Sequence, residues 1–302
     1  MGKFLFSVWF LAFVFLGPDT RGDERIFKNR AYGTHERQVF DLWSPSSKAP
    51  LVVYIHGGGW VAGSKEDLSG SPGLIRRFLR AGFAVSSLNY RFLKHAPLQT
   101  ILREDIAGFV QYVRFHAKEL GVDPLRVFAY GPSAGGSASL WLASHDDLAD
   151  LSTEDQIRRE STRISAAGHM NAQVSYDFLR WYQFFGKERT DRFMKDQVWR
   201  RYHFHSLEDL ETPKGSTVRA EVDMYGNLSA DDPPMLFWNS LKDEIDRDYN
   251  HFVHSPRHAR ILSERARELG ILTEVQIQAD GSEYLNSHDA ALQFFLRVLK
   301  EP

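Results

Sequence analysis

Apolar residues form two kinds of pattern, one typical of strands and one typical of helices, and segments of the two kinds follow one another along the chain. Short apolar runs, typical of strands buried on both faces, occupy residues 51–55, 83–88, 127–130, 164–167, 235–238 and 272–278, and an alternating stretch at 39–43 indicates an earlier strand. Helical patterns occupy residues 72–80, 98–120, 137–143, 255–270 and 289–300. Strands that alternate with helices of this length predict β-α units in one doubly wound, parallel sheet, which is the α/β class.

One stretch of the chain differs in composition from these strand and helix segments. Residues 176–204 are rich in aromatic and arginine side chains and lie between two predicted strands of the sheet. We therefore predict a helical cap insertion over about residues 175–230, within a single domain at 23–302. Because aromatic rings stack on sugars and line apolar pockets, substrate contacts are expected in the cap.

The N-terminus has the pattern of a targeting segment. Lys3 precedes an apolar run at residues 4–16, and Gly17-Pro18-Asp19 interrupts that run. So short a run after a basic residue predicts a secretory signal peptide, residues 1–22, and a secreted or periplasmic protein without a stable membrane span after processing. An uncleaved membrane anchor is the alternative.

Charge and composition exclude several classes of function. The formal net charge is −2, which excludes broad electrostatic capture of nucleic acid or of anionic membranes. The chain has no cysteine, so thiol catalysis, disulfides and cysteine zinc sites are excluded. His254 and His258 have the spacing of a zinc-binding helix, but Ser255 is the predicted N-cap and Pro256 the first helical residue. His254 then precedes the helix, and neither a metal nor a cofactor is predicted.

Ser133 stands at the centre of the motif Gly131-Pro132-Ser133-Ala134-Gly135. The motif lies between the predicted strand 127–130 and the predicted helix 137–143. In a G-x-S-x-G turn between a strand and a helix, the flanking glycines permit a sharp bend that exposes the serine hydroxyl. Such a hydroxyl becomes a nucleophile when a neighbouring base removes its proton. Ser133 is therefore the predicted catalytic nucleophile.

A second glycine motif, His56-Gly57-Gly58-Gly59, follows an apolar run. Backbone N–H groups of such a loop complete the oxyanion hole beside the serine turn, where each donor contributes about 3–4 kcal/mol. The predicted donors are the N–H groups of Gly58, Gly59 and Ala134. A phosphate-binding loop is excluded because no G-K-[ST] follows. His56 is interpreted as a structural histidine that braces the loop.

Together these motifs resemble those of α/β-hydrolases in the hormone-sensitive-lipase-like and feruloyl-esterase-like group of carboxylesterases. The resemblance is carried by His56-Gly57-Gly58-Gly59-Trp60, Asn89-Tyr90-Arg91, Asp105 and Gly131-Pro132-Ser133-Ala134-Gly135-Gly136. It covers about residues 35–145 well and the remainder in outline, and Pro132 departs from the acidic residue that many relatives carry there. It implies the α/β-hydrolase fold, a doubly wound and mostly parallel sheet with a helical cap.

The resemblance also implies the order of the other catalytic residues, an acid and then a histidine. Family spacing after the strand 235–238 points to Asp243 as the acid. Asp246 is the alternative, because acidic residues cluster there and the turn lacks the family's usual glycine. His288 follows the last predicted strand and precedes the last helix, which implies that it is the base.

The sequence thus predicts an exported serine carboxylesterase that hydrolyses small acyl esters through an acyl-enzyme. Family analogy and export favour esters of carbohydrate or aromatic alcohols, and the expected partner is a small-molecule ester. Two alternatives stay open: a serine peptidase or thioesterase on the same fold, and a non-catalytic binding scaffold. The oligomeric state is not predicted.

Overall fold

The structure is a computed structural model that describes residues 25–45, 47–194, 198–244, 247–281 and 284–300. The predicted signal peptide and Asp246 lie outside these ranges. The strands of the described residues are β1 (Arg25–Ala31), β2 (Val39–Ser44), β3 (Ala49–Ile55), β4 (Ala84–Leu88), β5 (Val122–Pro132), β6 (Ala166–Met170), β7 (Met235–Asn239) and β8 (Thr273–Ile277).

The helices fill the connections between these strands. They are α1 (Glu66–Ser69), α2 (Pro72–Arg80), α3 (Leu98–Thr100), α4 (Gly108–Phe115), α5 (Ala117–Leu120), α6 (Ala134–Ser144), α7 (Phe178–Phe185), α8 (Lys187–Met194), α9 (Pro213–Glu221), α10 (Met224–Asn227), α11 (Tyr249–Val253), α12 (Pro256–Glu268) and α13 (Ser287–Val298). A π-helical segment, Ile101–Ala107, joins α3 to α4, and short 3₁₀ turns form at Trp199–Tyr202, Glu208–Glu211 and Gln278–Asp280.

All of these strands belong to one twisted sheet in the order β1-β2-β4-β3-β5-β6-β7-β8. The pairs β1-β2 and β2-β4 are antiparallel, whereas every pair from β4 onward is parallel. The predicted doubly wound, mostly parallel sheet is therefore confirmed. The edge strand β1 was not predicted from the sequence.

Alternation along the strands separates two hydrophobic layers, one on each face of the sheet. Ala129 of β5 packs in the same layer as Trp141 of α6. The next residue, Tyr130, packs in the other layer with Phe295 of α13. Helices α6 and α13 thus cover opposite faces of the sheet.

Between β6 and β7 the chain forms a helical segment, α7 to α10, over the region of the predicted cap. Its aromatic side chains pack on one another and on α11: the rings of Phe178 and Trp181 lie 5.1 Å apart, and Trp181 lies 5.5 Å from the ring of Phe252 in α11. Two ion pairs tie the segment together, Arg219 with Asp177 at 3.0 Å and Arg180 with Asp223. Among the residues with described positions, no helix has the length and apolar character needed to cross a membrane.

Candidate active site

Ser133 occupies a sharp turn between β5 and α6. Its backbone has φ +52° and ψ −119°, a conformation that non-glycine residues rarely adopt. The Ser133 N–H donates a hydrogen bond to the carbonyl of Met170 in β6, at 2.8 Å. Strained backbone of this kind persists where the surroundings hold it, and it clusters at functional sites.

The glycines around Ser133 are required by close backbone approach. A Cβ atom at Gly131 or at Gly135 would lie 1.9 Å from the carbonyl oxygen of Ile55 in β3. A Cβ at Gly136 would lie 2.7 Å from the carbonyl oxygen of Gly131. The first turn of α6 therefore packs directly on the sheet, and this contact sets the position of the Ser133 hydroxyl.

The triple-glycine loop lies beside the Ser133 turn. Gly58 and Gly59 have φ +105° and +61°, and the Gly58 carbonyl accepts the N–H groups of Val61 and Ala62, each at 3.1 Å. Within the described part of the chain, no hydrogen bond is recorded from the N–H groups of Gly58, Gly59 or Ala134. These N–H groups have no acceptor among the described residues, and their role as oxyanion donors stays a prediction.

A layer of aromatic rings braces this loop from below. The ring of His56 stacks on Tyr90 at 4.2 Å, and the Tyr90 hydroxyl donates to the His56 carbonyl at 2.8 Å. Trp60 packs on Tyr90 and donates from its indole N–H to the hydroxyl of Tyr176. Burial lowers the pKa of His56 to about 4, so this ring stays neutral near pH 7. Its environment matches the structural interpretation of His56.

Arg91 and Asp105 of the family motif form a buried anchor behind the loop. Asp105 is fully buried and accepts hydrogen bonds from the Arg91 guanidinium at 2.6 Å and from the Arg91 backbone N–H at 2.6 Å. Gln38 donates a further hydrogen bond to the same carboxylate at 3.0 Å. The anchor holds the residues after Tyr90 in place, and it thereby holds the Tyr90 ring that supports the glycine loop.

The histidine against Ser133 is His254. Its Nε2 atom lies 2.8 Å from the Ser133 hydroxyl oxygen, and its Nδ1 atom lies 2.8 Å from the carbonyl oxygen of Asn250. Because a carbonyl only accepts, Nδ1 carries the proton, and Nε2 is left to accept the hydrogen bond from Ser133. Burial lowers the pKa of His254 below 6.5, against the opposing effect of the Asn250 hydrogen bond. The imidazole is therefore neutral at pH 7 and poised as a base.

His288, the base implied by the resemblance, lies elsewhere in the structure. Its Nδ1 atom is 3.0 Å from the hydroxyl of Tyr130, and its ring packs near Tyr54. Both tyrosines belong to the layer under α13, whereas Ser133 opens α6 on the opposite face. The expected placement of His288 against Ser133 is thus corrected: α13 already begins at Ser287, so residue 288 is held in its first turn against the sheet.

Asp243 also lies apart from the expected contact. Its carboxylate accepts a hydrogen bond from Arg260 at 2.6 Å and lies 3.8 Å from the guanidinium of Arg257. The Nδ1 atom of His254 is bonded to the Asn250 carbonyl, so no carboxylate takes that position among the described residues. The alternative acid, Asp246, is outside the residues that the structure describes.

A signal for His254 was present in the sequence. Ser255 caps α12 by accepting from the N–H of Arg257, and Pro256 is the first helical residue, as predicted. That capping removes His254 from the helix and leaves it in the connection that follows β7. Since ligands of open α/β sheets bind beyond the carboxyl ends of the strands, a histidine there was a candidate base.

A cavity of about 840 Å³ opens above Ser133 and His254. Its wall is mainly apolar and includes Tyr176, Phe178, Trp181, Met194 and Val253. Gly58 and Gly59 line the same cavity, so nucleophile, base and candidate oxyanion donors share one space. Among the residues that the structure covers, no group of three or more His, Asp or Glu side chains stands where it could hold a metal ion.

Comparison with protein families finds a match that includes the triple-glycine loop and the Ser133 turn. The model of the BD-FAE family matches residues 40–245, about two thirds of the chain. Fumonisin B1 esterase of Sphingopyxis macrogoltabida is 30% identical over 146 residues, which are 40% of this chain and 26% of that protein. Carboxylesterase NlhH of Mycobacterium tuberculosis is 34% identical over 128 residues, which are 42% of this chain and 39% of that protein. The match therefore spans well under half the length of these relatives.

Solved structures agree on the fold. A truncated carbohydrate esterase from gut microbiota has a TM-score of 0.68 at 17% identity, covering 94% of this chain and 100% of that one. The esterase Est2 of the Planctomycetes species Thermogutta terrifontis has a TM-score of 0.58 at 19% identity, covering 94% and 92%. The predicted α/β-hydrolase fold and the predicted family resemblance are both confirmed.

Proposed function

Because the chain belongs to the BD-FAE family of α/β-hydrolases, we propose that it is a serine carboxylesterase. The observation that carries the proposal is the hydrogen bond of 2.8 Å between the Ser133 hydroxyl and Nε2 of His254, at a strained turn beside the triple-glycine loop. A nucleophile, a neutral base and unoccupied backbone donors are the three elements that acyl transfer requires.

The proposed reaction proceeds through an acyl-enzyme. His254 removes the proton of Ser133 at Nε2 while the serine oxygen attacks the ester carbonyl, and the N–H groups of Gly58, Gly59 and Ala134 bind the oxyanion. The Asn250 carbonyl accepts from Nδ1–H, which orients the ring and stabilises the imidazolium. His254 then protonates the leaving alcohol, and it later activates the water that hydrolyses the acyl-enzyme.

We further propose short acyl esters of carbohydrate or aromatic alcohols as substrates. The aromatic wall of the cavity supports an aromatic or sugar leaving group, since such rings stack on both. The cavity of about 840 Å³ lies in the usual range of small-molecule sites and has room for a short acyl group together with a sugar or aromatic alcohol.

Export remains part of the proposal. It is supported by the apolar run at residues 4–16 after Lys3 and by the break at Gly17-Pro18. The expected result is a secreted or periplasmic protein that has lost about the first 22 residues, as measured by intact mass after expression in a bacterial host. Recovery of the full-length chain in the membrane fraction would support the uncleaved anchor instead.

Turnover of p-nitrophenyl acetate, butyrate and palmitate tests the proposed activity, with labelling by a fluorophosphonate as the second readout. We expect the acetate and butyrate to be hydrolysed at least about tenfold faster than the palmitate, and Ser133 to be the labelled residue. Folded protein that neither hydrolyses these esters nor labels at Ser133 would favour a binding scaffold. Faster turnover of matched thioesters or peptides would favour those hydrolase classes.

The lowered pKa of His254 predicts the pH dependence of the reaction. The base must be neutral, so kcat/KM rises with pH through the pKa of His254 and is lost as pH falls below it. Since burial places that pKa below 6.5, we expect a full plateau at pH 7 and an acidic limb centred below pH 6.5. The profile is measured with p-nitrophenyl butyrate from about pH 4.5 to 8.5, with recovery at pH 7 after each incubation as the control. An acidic limb centred above pH 7 would contradict this assignment.

A further inference from the structure

The arginine at position 201 lies in the wall of the active-site cavity, and the described residues give it no counter-ion. Arg201 is 9% exposed, belongs to the 3₁₀ turn Trp199–Tyr202 and lines the same cavity as Ser133 and His254. One terminal nitrogen donates to the Gly59 carbonyl at 3.3 Å and the other to the Tyr249 hydroxyl at 3.0 Å. The Nε atom is buried, and no described residue accepts a hydrogen bond from it.

Neither hydrogen-bond partner of Arg201 carries a charge, and the described residues provide it with no ion pair. Two other arginines of the cap do have such partners: Arg219 pairs with Asp177 at 3.0 Å, and Arg180 pairs with Asp223. A buried guanidinium without a counter-ion costs free energy, because hydrogen bonds to neutral groups replace only part of the hydration that it loses. A ligand that supplies the missing anion recovers that free energy on binding.

The other charged side chains that line the cavity are also positive. Lys94 and Arg200 also line it, and no Asp or Glu is found among its described lining residues. The chain as a whole has a net charge of −2, so this positive cavity is a local feature and not a consequence of composition. Cationic clefts with low-dielectric walls raise the local concentration of anions.

We propose that the ester substrate carries a carboxylate, which Arg201 binds while Ser133 attacks the ester carbonyl. This inference rests on the proposed esterase function. The free Nε–H and a terminal N–H of the guanidinium form the fork that matches the two oxygens of a carboxylate. The aromatic side chains Tyr176 and Phe178 line the same cavity and pack against the uncharged part of the ligand. Arg201 is then a residue that determines specificity by direct contact with the substrate.

Matched pairs of charged and neutral esters test the inference. On the alcohol side the pair is 4-acetoxybenzoate and 4-acetoxybenzamide; on the acyl side it is mono-4-nitrophenyl adipate and its terminal amide. In the unmodified protein, we expect kcat/KM for the carboxylate of at least one pair to exceed that of its amide by about 10- to 100-fold. The pair that shows the preference identifies which side of the ester faces Arg201.

Substitution at position 201 separates the carboxylate contact from a structural role. Arg201→Gln is expected to lower the ratio of carboxylate to amide turnover to about one, mainly through KM for the carboxylate, and Arg201→Lys is expected to retain part of it. Arg192→Gln, the same change at an exposed arginine of α8 that does not line the cavity, is expected to alter the ratio by less than about threefold. Calorimetry measures the affinity for the carboxylate without turnover. 4-Acetoxybenzoate is titrated into the Ser133→Ala variant and into the double variant that also carries Arg201→Gln.

Two outcomes overturn the inference and leave the proposed activity standing: carboxylates no better than amides in both pairs, or a preference that persists in Arg201→Gln. Failure of the proposed activity is recognised separately, because the neutral amide esters would then show no turnover dependent on Ser133. Equal loss for both members of a pair in Arg201→Gln leaves the ratio unchanged, so it is a case of the second outcome and would assign Arg201 a structural role through Gly59 and Tyr249.

Discussion

Replacement of Ser133 with alanine is expected to lower kcat/KM for p-nitrophenyl butyrate by about 10⁴- to 10⁶-fold. The hydroxyl is the only atom removed, so the turn keeps its Cβ atom and its hydrogen bond from the Ser133 N–H to Met170. Without the acyl-enzyme pathway, the residual rate acceleration comes only from substrate binding and from the backbone N–H donors. Initial rates at high protein concentration measure the residual activity.

The control for this prediction is Ser139→Ala on the same helix. The Ser139 hydroxyl is buried and donates to the Gly135 carbonyl at 2.9 Å, within α6 itself. We expect its removal to change kcat/KM by less than about threefold and both variants to unfold cooperatively near the melting temperature of the unmodified protein. A Ser133→Ala variant that retains more than about one hundredth of the activity would exclude Ser133 as the nucleophile.

The second large effect is expected at His254. His254→Gln removes the acceptor of the Ser133 proton, and we expect kcat/KM to fall by about 10⁴-fold or more. His288→Gln alters a ring that contacts Tyr130 on the opposite face of the sheet, and we expect a change of less than about fivefold. Turnover of p-nitrophenyl butyrate by the two purified variants, compared at pH 7.5, measures the difference.

Asp243→Asn provides the matched test of the acid. Because Asp243 pairs with Arg260 while the Asn250 carbonyl accepts from His254, we expect this variant to lose less than about tenfold in kcat/KM. A loss near 10⁴-fold, with an unchanged melting temperature, would instead return Asp243 to the role of the catalytic acid.

Several elements of the fold follow from local sequence patterns. The continuous apolar run of β3 and the helix α2, with Pro72 at its first position and Gly82 beyond its end, were predicted within two residues of their observed bounds. The Ser133 turn could be predicted from the motif and its place between a strand and a helix, because the glycines that permit the turn are adjacent to Ser133 in sequence. These features depend on near neighbours, which sequence patterns report well.

Other elements depend on contacts that are distant in sequence. Strand β1 is half exposed at the sheet edge and has a bulge with Asn29 at φ +50°, so it lacks a clear alternating pattern. Strand β6 was predicted at 164–167 but occupies Ala166–Met170. Glycine and histidine are not typical of a buried strand, so the apolar pattern stops before Gly168 and His169 although the strand continues through them. The resemblance implies His288 as the base, whereas the structure brings His254 to 2.8 Å from the Ser133 hydroxyl, and a contact between residues so distant in sequence leaves no local pattern.

The most direct test of the account is the rate at which a fluorophosphonate reacts with Ser133 in the His254→Gln and His288→Gln variants. Mass spectrometry of the labelled peptide gives the second-order rate constant at residue 133 independently of turnover and substrate choice. We predict a fall of about 10³-fold or more for His254→Gln and a change of less than about fivefold for His288→Gln. The reverse order, with Ser133 losing its reactivity only when His288 is replaced, would contradict the assignment of His254 as the base.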